Sequence, residues 1–224
     1  MQEDLIKQIN EITVIIPGSP AGSFPPVEYA DIDGIVAIGG DLNSDRLVEA
    51  YRRGIFPWYS KGEPIIWWSP DPRIVLFPEE IKISKSMRKW LKKTDIKVTA
   101  DKSFEKVIRS CAKSAPGRES TWITEEMILA YVNLHKLGHA HSIEAWWNNE
   151  LVGGLYGVYT NKCFCGESMF SKISNASKAC LIKLTEGILN LPIKLIDCQI
   201  HSNHLESLGA REISRNEFIC SLKN

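Results

Sequence analysis

Several features that would assign a chain to a broad class are missing from these 224 residues. No apolar run approaches the ~18–20 residues that a membrane-spanning helix needs. The N-terminus has no basic stretch followed by an apolar one, which a signal peptide would show. There is no internal repeat and no low-complexity tract. We therefore expect a soluble, cytoplasmic globular protein.

The motifs of metal and serine chemistry are also absent. The five histidines form no HExxH pattern, there is no GxSxG elbow, and the six cysteines include no CxxC pair. We expect no metal and no cofactor, and we expect the cysteines to be buried free thiols in a reducing compartment.

An excess of charge of one sign is lacking as well, because 27 Lys and Arg balance 27 Asp and Glu. This balance argues against wholesale wrapping of nucleic acid, but it leaves room for a local basic face. A predicted helix at 84–93 has such a face, formed by Lys85, Arg88, Lys89, Lys92 and Lys93. A solvated helix surface is the ordinary explanation, and a phosphate-binding surface is the alternative.

Tryptophan is abundant, and four of the seven draw attention: Trp58, Trp67 and Trp68 in the aromatic stretch 55–68, and Trp122. Such side chains are plausible platforms for unpaired bases. Filling an interdomain core is the other explanation, and we expect it for two of the four.

The order of predicted elements indicates an α+β fold with two domains. A Pro- and Gly-rich opening and the aromatic stretch 55–68 suggest a small N-terminal domain over 1–70, with 71–224 as a larger domain. In the larger domain, helices precede antiparallel strands near 141–148, 151–160 and 163–170, followed by a helix over 175–189 and a strand at 195–200. That order is typical of acyl-CoA N-acyltransferase (GNAT-type) domains, although other α+β folds share it.

Three polar residues interrupt apolar strands: Glu167, Asp197 and Gln199. Burying an unpaired carboxylate is costly, so such residues often line a site. Strand alternation predicts that Asp197 and Gln199 share a face, and that Glu167 shares a face with Met169. The pair at 197 and 199 could hold and help deprotonate an amine, Asp197 by electrostatics and Gln199 by positioning. A purely structural role as hydrogen-bonded core residues is the alternative.

Eight blocks of sequence resemble the leucyl/phenylalanyl-tRNA–protein transferase family. They lie at 39–42, 54–58, 67–73, 121–124, 138–144, 166–171, 175–178 and 195–199. The resemblance implies a small N-terminal domain and a GNAT-like catalytic domain with a mixed, mainly antiparallel sheet. It also implies transfer of Leu or Phe, and less well Met, from aminoacyl-tRNA to proteins with N-terminal Arg or Lys, which marks them for degradation by the N-end rule pathway. We expect a monomer.

The resemblance further implies roles for particular residues. Glu167, Asp197 and Gln199 would lie at the reaction centre. With aminoacyl-tRNA as the substrate, we expect the basic helix found above to bind tRNA. Substrate would be bound by Trp58 and Trp122, at the adenosine and aminoacyl group, and by Leu155, Met169, Leu184, Ile188 and Ile196, around the amino-acid side chain.

Two other functions fit parts of the pattern. A CoA-dependent N-acetyltransferase would share the fold, but the chain lacks the Gly-rich loop that cradles the CoA pyrophosphate. A non-catalytic RNA-binding module would need only the basic helix and the tryptophans.

Overall fold

A computed structural model describes residues 12–113 and 121–223. They form an α+β fold with two sheets, as the sequence predicts. The smaller sheet has the order β1-β2-β4-β3. Its strands are β1 (Thr13–Ile15), β2 (Ile35–Gly39), β3 (Phe56–Pro57) and β4 (Ile66–Trp68).

The larger sheet has seven strands in the order β11-β5-β10-β9-β8-β7-β6. Strands β9 and β10 run parallel, and the other neighbouring pairs are antiparallel, so the sheet is mixed and mainly antiparallel. The strands are β5 (Arg73–Leu76), β6 (Lys97–Ala100), β7 (Ala140–Trp147), β8 (Glu150–Thr160), β9 (Cys163–Ser171), β10 (Leu195–Gln199) and β11 (Arg211–Ile213).

Seven helices surround the sheets in the described ranges. They are α1 (Ser44–Arg52), α2 (Lys85–Lys93), α3 (Phe104–Cys111), α4 (Glu125–Lys136), α5 (Ala176–Thr185), α6 (Asn203–Ser207) and α7 (Arg215–Leu222). Side-chain caps fix several starts: Asn43 accepts from the backbone amide of Asp45, Ser84 from Met87, and Thr124 from Met127.

The helices cover both faces of the large sheet because its strands are apolar on both sides. Helices α1, α3 and α4 share an apolar cluster with Tyr156 and Cys165. Helix α5 lies on the opposite face, where its Leu181 and Leu184 pack with Phe164. Helix α2 packs through Met87 onto the outer side of α5. The polar residues of β9 and β10 therefore lie between two apolar layers.

The predicted helix over 175–189 is too long. Helix α5 ends at Thr185, and Gly187 has a positive φ of 85°, a conformation that ends helices and suits glycine. The four strands of the smaller sheet were not predicted, because they lie in the Pro- and Gly-rich opening and the aromatic stretch 55–68. Strands β6 and β11 and helix α7 were not predicted either, since their short apolar patterns give little periodic signal.

The division at residue 70 falls between Trp68, the last residue of β4, and Arg73, the first of β5. One apolar cluster nevertheless joins small-sheet residues such as Trp67 to large-sheet residues such as Tyr156. The core is continuous across this point, and the division into two domains stays a prediction. In the described ranges, no helix has the length and apolarity to cross a membrane.

Two glycines of β8 allow close packing of protein against protein. A Cβ on Gly153 would lie 2.6 Å from the Cβ of Ala176, the first residue of α5. A Cβ on Gly157 would lie 2.2 Å from the carbonyl oxygen of Cys165 on β9. These glycines therefore bring α5 and β9 close to β8, and they leave no space for a ligand.

Candidate active site

The candidate site opens where the parallel strands β9 and β10 separate. The two strands pair from Leu195 with Cys163 to Asp197 with Cys165, and the pairing ends there. A cavity of about 290 Å³ lies at this point. Its lining includes residues that come after the last paired residue of each strand: Gly166, Glu167, Ser168 and Met169 on β9, and Cys198 and Gln199 on β10. A separation between parallel strands thus creates an opening in an otherwise continuous sheet.

A β-bulge turns Glu167 to the face opposite Met169. Tyr156 pairs with Ser168 and Gly157 pairs with Gly166, which leaves Glu167 as the extra residue. The prediction that Glu167 and Met169 share a face is therefore wrong, because strict alternation stops at the bulge. Met169 packs against the cluster of α5, whereas Glu167 bonds to residues of the opposite layer.

The Glu167 carboxyl is held by three donors. The Tyr51 hydroxyl donates to Oε1 at 2.7 Å, the Tyr131 hydroxyl to Oε2 at 3.1 Å, and the Gln199 side-chain amide to Oε1 at 2.8 Å. The two hydroxyls also contact each other. Glu167 is only 8% exposed. These bonds fix its orientation at the cavity.

Burial raises the pKa of Glu167 to about 7. Desolvation disfavours the carboxylate, and the nearby charge of Asp197 acts in the same direction. The hydrogen bonds from Tyr51, Tyr131 and Gln199 partly oppose this rise. A carboxyl with this pKa exchanges protons readily at neutral pH, which suits it to general base catalysis.

Asp197 forms a buried ion pair. It accepts from Nε of Arg73 at 2.8 Å and from Nη2 at 2.6 Å. The Arg73 guanidinium lies between the rings of Phe56 and Phe218, at 4.7 and 4.5 Å from their centroids. Asp197 is fully buried. Its charge is therefore compensated by Arg73.

Gln199 connects this ion pair to Glu167. Its backbone amide donates to Oδ1 of Asp197 at 2.9 Å, and its side-chain amide bonds to Glu167. Gln199 has a positive φ of 65° at an irregularity in the pairing of β10 with β5. Such a conformation is uncommon outside glycine and asparagine and needs local support. Asp197 supplies it.

Most of the predicted substrate-binding residues line the same cavity: Trp58, Trp122, Leu155, Met169, Leu184 and Ile196. Ile188 is not part of this lining; it follows the end of α5 and packs against the apolar cluster that contains Leu184. The sequence reading missed Leu181, one helical turn before Leu184, and the segment 200–205, which forms another wall. The i, i+3 spacing from Leu184 on an apolar helix could have indicated Leu181.

The four tryptophans have different environments. Trp67 is fully buried, with its indole N–H bonded to the carbonyl of Gly39. Trp58 is 38% exposed at the cavity. The Trp68 indole donates to the Trp58 carbonyl at 2.7 Å and so supports it. Trp122 is partly buried and lines the cavity.

The five cations of α2 lie outside the cavity lining. All are exposed, and none of them forms an ion pair with another residue in the ranges 12–113 and 121–223. The opposite side of α2 packs through Met87 on α5 residues Ala179 and Ile182. The structure therefore leaves this basic face available to a partner.

Thiol and metal chemistry have little support in the described ranges. Cys163, Cys165, Cys180 and Cys198 are buried free thiols, Cys111 is buried as well, and Cys220 is exposed. A contact with Cys163 and burial raise the pKa of Cys165 far above its usual value, so this thiol is not a nucleophile at neutral pH. No group of three potential metal ligands occurs among the described residues.

A carboxyl with a pKa of about 7, bonded to an oriented amide beside an apolar cavity, is the arrangement of an enzyme site for general base catalysis, and acyl transfer to an amine is a reaction that such a site can perform. Comparison with known families gives a specific assignment. A model described as leucyl/phenylalanyl-tRNA protein transferase matches residues 75–223, and a model of the N-terminal domain of the same transferase matches residues 40–71. The chain belongs to the leucyl/phenylalanyl-tRNA–protein transferase family.

Individual relatives agree. A protein named leucyl/phenylalanyl-tRNA–protein transferase from Christiangramia forsetii is 55% identical over 204 residues, covering 90% of this chain and 96% of the relative. One of the same name from Syntrophus aciditrophicus is 55% identical, covering 93% and 89%.

Solved structures are more distant. A GCN5-related N-acetyltransferase from Kribbella flavida has a TM-score of 0.38 at 5% identity, covering 73% of this chain and 58% of that one. A functionally unknown protein from Staphylococcus epidermidis has a TM-score of 0.43 at 10% identity, covering 80% and 68%. The family assignment does not depend on them.

Proposed function

We propose that this enzyme transfers Leu or Phe, and less well Met, from aminoacyl-tRNA to the α-amino group of proteins with N-terminal Arg or Lys. The products would enter the N-end rule pathway of degradation, and the reaction would take place in the cytoplasm, where aminoacyl-tRNA is available. The observation that carries the proposal is the bonded pair of Glu167 and Gln199 beside an apolar cavity. We also propose that the enzyme acts as a monomer, which sedimentation would show as one species of 25.3 kDa.

The apolar part of the cavity suits the donor. Leu155, Leu181, Leu184 and Ile196 present hydrocarbon, and Met169 adds a flexible thioether that adapts to side chains of different shape. Leu and Phe gain by leaving water in such a space, whereas a charged side chain would lose its hydration. This supports selection of large apolar amino acids.

The polar end of the cavity suits the reaction. As the amine nitrogen bonds to the ester carbonyl carbon, Glu167 takes a proton from that nitrogen. The tetrahedral intermediate then breaks its bond to the ribose oxygen, and Glu167 returns the proton to that oxygen. An α-amine with a pKa of about 7.7–8 is partly neutral already, so alignment contributes much of the acceleration.

Gln199 and Asp197 take supporting roles in this proposal. The Gln199 amide nitrogen bonds to Glu167, which leaves its amide oxygen to orient the incoming amine. Asp197 holds the backbone of Gln199 and is itself held by Arg73. Asp197 therefore acts as a positioning residue, and Glu167 carries the charge that attracts a cationic acceptor.

The test supplies Leu-tRNA or Phe-tRNA labelled in the amino acid, together with peptides that begin with Arg, Lys or Ala. Label on the Arg and Lys peptides, and little on the Ala peptide, is expected. Tight acetyl-CoA binding with acetylated amine as the product would favour an acetyltransferase. Binding of tRNA without any labelled peptide would favour an RNA-binding module.

Trp58 is expected to stack on the terminal adenosine of the tRNA. Stacking on an aromatic side chain contributes about 1–3 kcal/mol per base, so Trp58→Ala should raise KM for aminoacyl-tRNA by roughly 5- to 150-fold. Trp147→Ala is the matched control, because Trp147 is 45% exposed and lies away from the cavity lining. Equal KM values for the two variants would contradict the stacking role.

The basic face of α2 is expected to contact tRNA phosphates. Changing both Lys89 and Lys92 to Glu should weaken tRNA binding, and it should reduce the slope of log K against log salt by about 1 per lost phosphate contact. The same change at Lys136 and Lys223, on α4 and after α7, alters the net charge equally. If both double variants lose the same affinity, only net charge matters and α2 has no specific role.

A further inference from the structure

The Glu167 carboxyl is bonded by a side chain from a distant part of the sequence. Tyr51 lies in the last two turns of α1, and its ring is almost fully buried. Its hydroxyl donates to Glu167, 116 positions later in the chain, at 2.7 Å. The same hydroxyl contacts that of Tyr131 on α4, which donates to the other carboxyl oxygen.

This contact links the two parts that the family models separate. Tyr51 falls in the range 40–71 that matches the N-terminal-domain model, and Glu167 falls in the range 75–223. Helix α1 packs against β8 and α4, which brings Tyr51 beneath the strand that carries Glu167. A purely apolar interface would be satisfied by phenylalanine at this position, since burying a hydroxyl is favourable only when it is bonded.

We propose that Tyr51 is a positioning residue for the transfer reaction, whose hydroxyl holds the Glu167 carboxyl against the Gln199 amide. This inference rests on the proposed function, because it assigns to Tyr51 the support of the proton acceptor in that reaction. The N-terminal part of the chain then contributes to the chemistry as well as to the binding of substrate.

Few titratable groups near Glu167 change their own charge close to neutral pH. The titratable and charged groups around it are Tyr51 on α1, Tyr131 on α4, Tyr156 on β8, Cys111 on α3, Cys165 on its own strand, the pair Arg73–Asp197 on β5 and β10, and His201 and His204 across the cavity. Burial raises the pKa values of the three tyrosines and of Cys165 well above their usual range, so these groups are neutral.

The hydrogen bond from Tyr51 determines in which direction the pKa of Glu167 should change when the hydroxyl is removed. A donor that bonds to a carboxylate favours the ionised form, so the Tyr51 hydroxyl lowers the pKa of Glu167. Tyr51→Phe removes this donor and keeps the ring. The pKa of Glu167 should then rise, and a larger fraction of the enzyme should be protonated, and inactive, at neutral pH.

The experiment measures kcat/KM for transfer of Leu from Leu-tRNA to an Arg-initiated peptide between pH 6.5 and 8.5. The ratio of wild-type to Tyr51→Phe rates removes the titration of the peptide amine, which is common to both. If the Glu167 pKa rises by about one unit, the ratio should be roughly 5- to 10-fold at pH 6.5 and less than about 2-fold at pH 8.5. A ratio that is the same at every pH would mean a structural role only and would overturn the inference.

Two further variants complete the test. Tyr131→Phe removes the longer of the two tyrosine hydrogen bonds to Glu167, so the pH profile of kcat/KM should shift to higher pH, but by less than for Tyr51→Phe. This variant keeps the inference testable if Tyr51→Phe unfolds. Tyr159→Phe is the control, because this tyrosine lies on β8 outside the active-site lining and contacts His141. Absence of transfer by the wild-type enzyme would contradict the proposed function itself, whereas an active wild type with an unshifted Tyr51→Phe profile would contradict only the role of Tyr51.

Discussion

Replacing Glu167 with glutamine is expected to lower kcat/KM for peptide-bond formation by about 10²- to 10⁴-fold, the range that a positioned general base contributes. Glutamine has nearly the same shape, and its amide oxygen can still accept from Tyr51 and Gln199 as Oε1 does. Its NH2 group replaces the oxygen that accepts from Tyr131, and it cannot take a proton. Single-turnover transfer from pre-bound Leu-tRNA measures the effect on chemistry directly. Activity within tenfold of wild type would remove Glu167 as the proton acceptor.

Stability provides the internal control for this variant. Burial raises the pKa of Glu167 from 4.5 to about 7, so the folded protein binds the proton more tightly than the unfolded chain. The stability contributed by this group is fully present below pH 4.5 and is lost as pH rises to about 7. Glu167→Gln has no such loss, so its free energy of unfolding relative to wild type should be higher at pH 8 than at pH 5. A folded, inactive variant would thereby be distinguished from a damaged one.

Replacing Asp197 with alanine is expected to lower the free energy of unfolding by about 3–5 kcal/mol, because it leaves the buried guanidinium of Arg73 without a counter-charge. Arg73 is 1% exposed, and its Nη1 already lacks a hydrogen-bond partner in the described structure. Removing Asp197 also frees the backbone of Gln199 from its strained conformation, so activity should fall as well. Urea unfolding measured at pH 7 gives the stability difference.

The control is an ion pair of the same kind at the surface. Arg211 bonds to both carboxyl oxygens of Glu80, at 3.0 and 3.4 Å, and the two side chains are about half exposed. Glu80→Ala should therefore cost only about 0–1 kcal/mol, since water and salt screen such pairs. If Asp197→Ala and Glu80→Ala lower the free energy of unfolding by similar amounts, the buried ion pair stabilises the fold no more than the exposed one.

The fold was predictable from the sequence where its patterns are long. The hairpin strands β7, β8 and β9 and helix α2 have clear sequence patterns, so their positions were predicted to within one or two residues. Short elements such as β6 and β11 were missed because their three or four residues form strands only through pairing with distant neighbours.

The site was predictable in its membership more than in its geometry. Polar residues inside apolar strands marked Glu167, Asp197 and Gln199, which lie within one bonded network. The direction of Glu167 depends on a bulge that alternation cannot anticipate. The partners Tyr51, Tyr131 and Arg73 lie 36 to 124 positions from the residues they bond, and no local pattern connects positions so far apart.

The stacking of the Arg73 guanidinium between Phe56 and Phe218 has a consequence for the newly made protein. Phe218 belongs to α7, so the contact between its ring and Arg73 can form only after the segment Arg215–Leu222 has left the ribosome. Until then, the arginine that anchors Asp197, and through it Gln199, keeps one side open to water. An unfinished polypeptide thus lacks part of the support for its own reaction centre while it is still surrounded by the charged tRNAs that translation consumes.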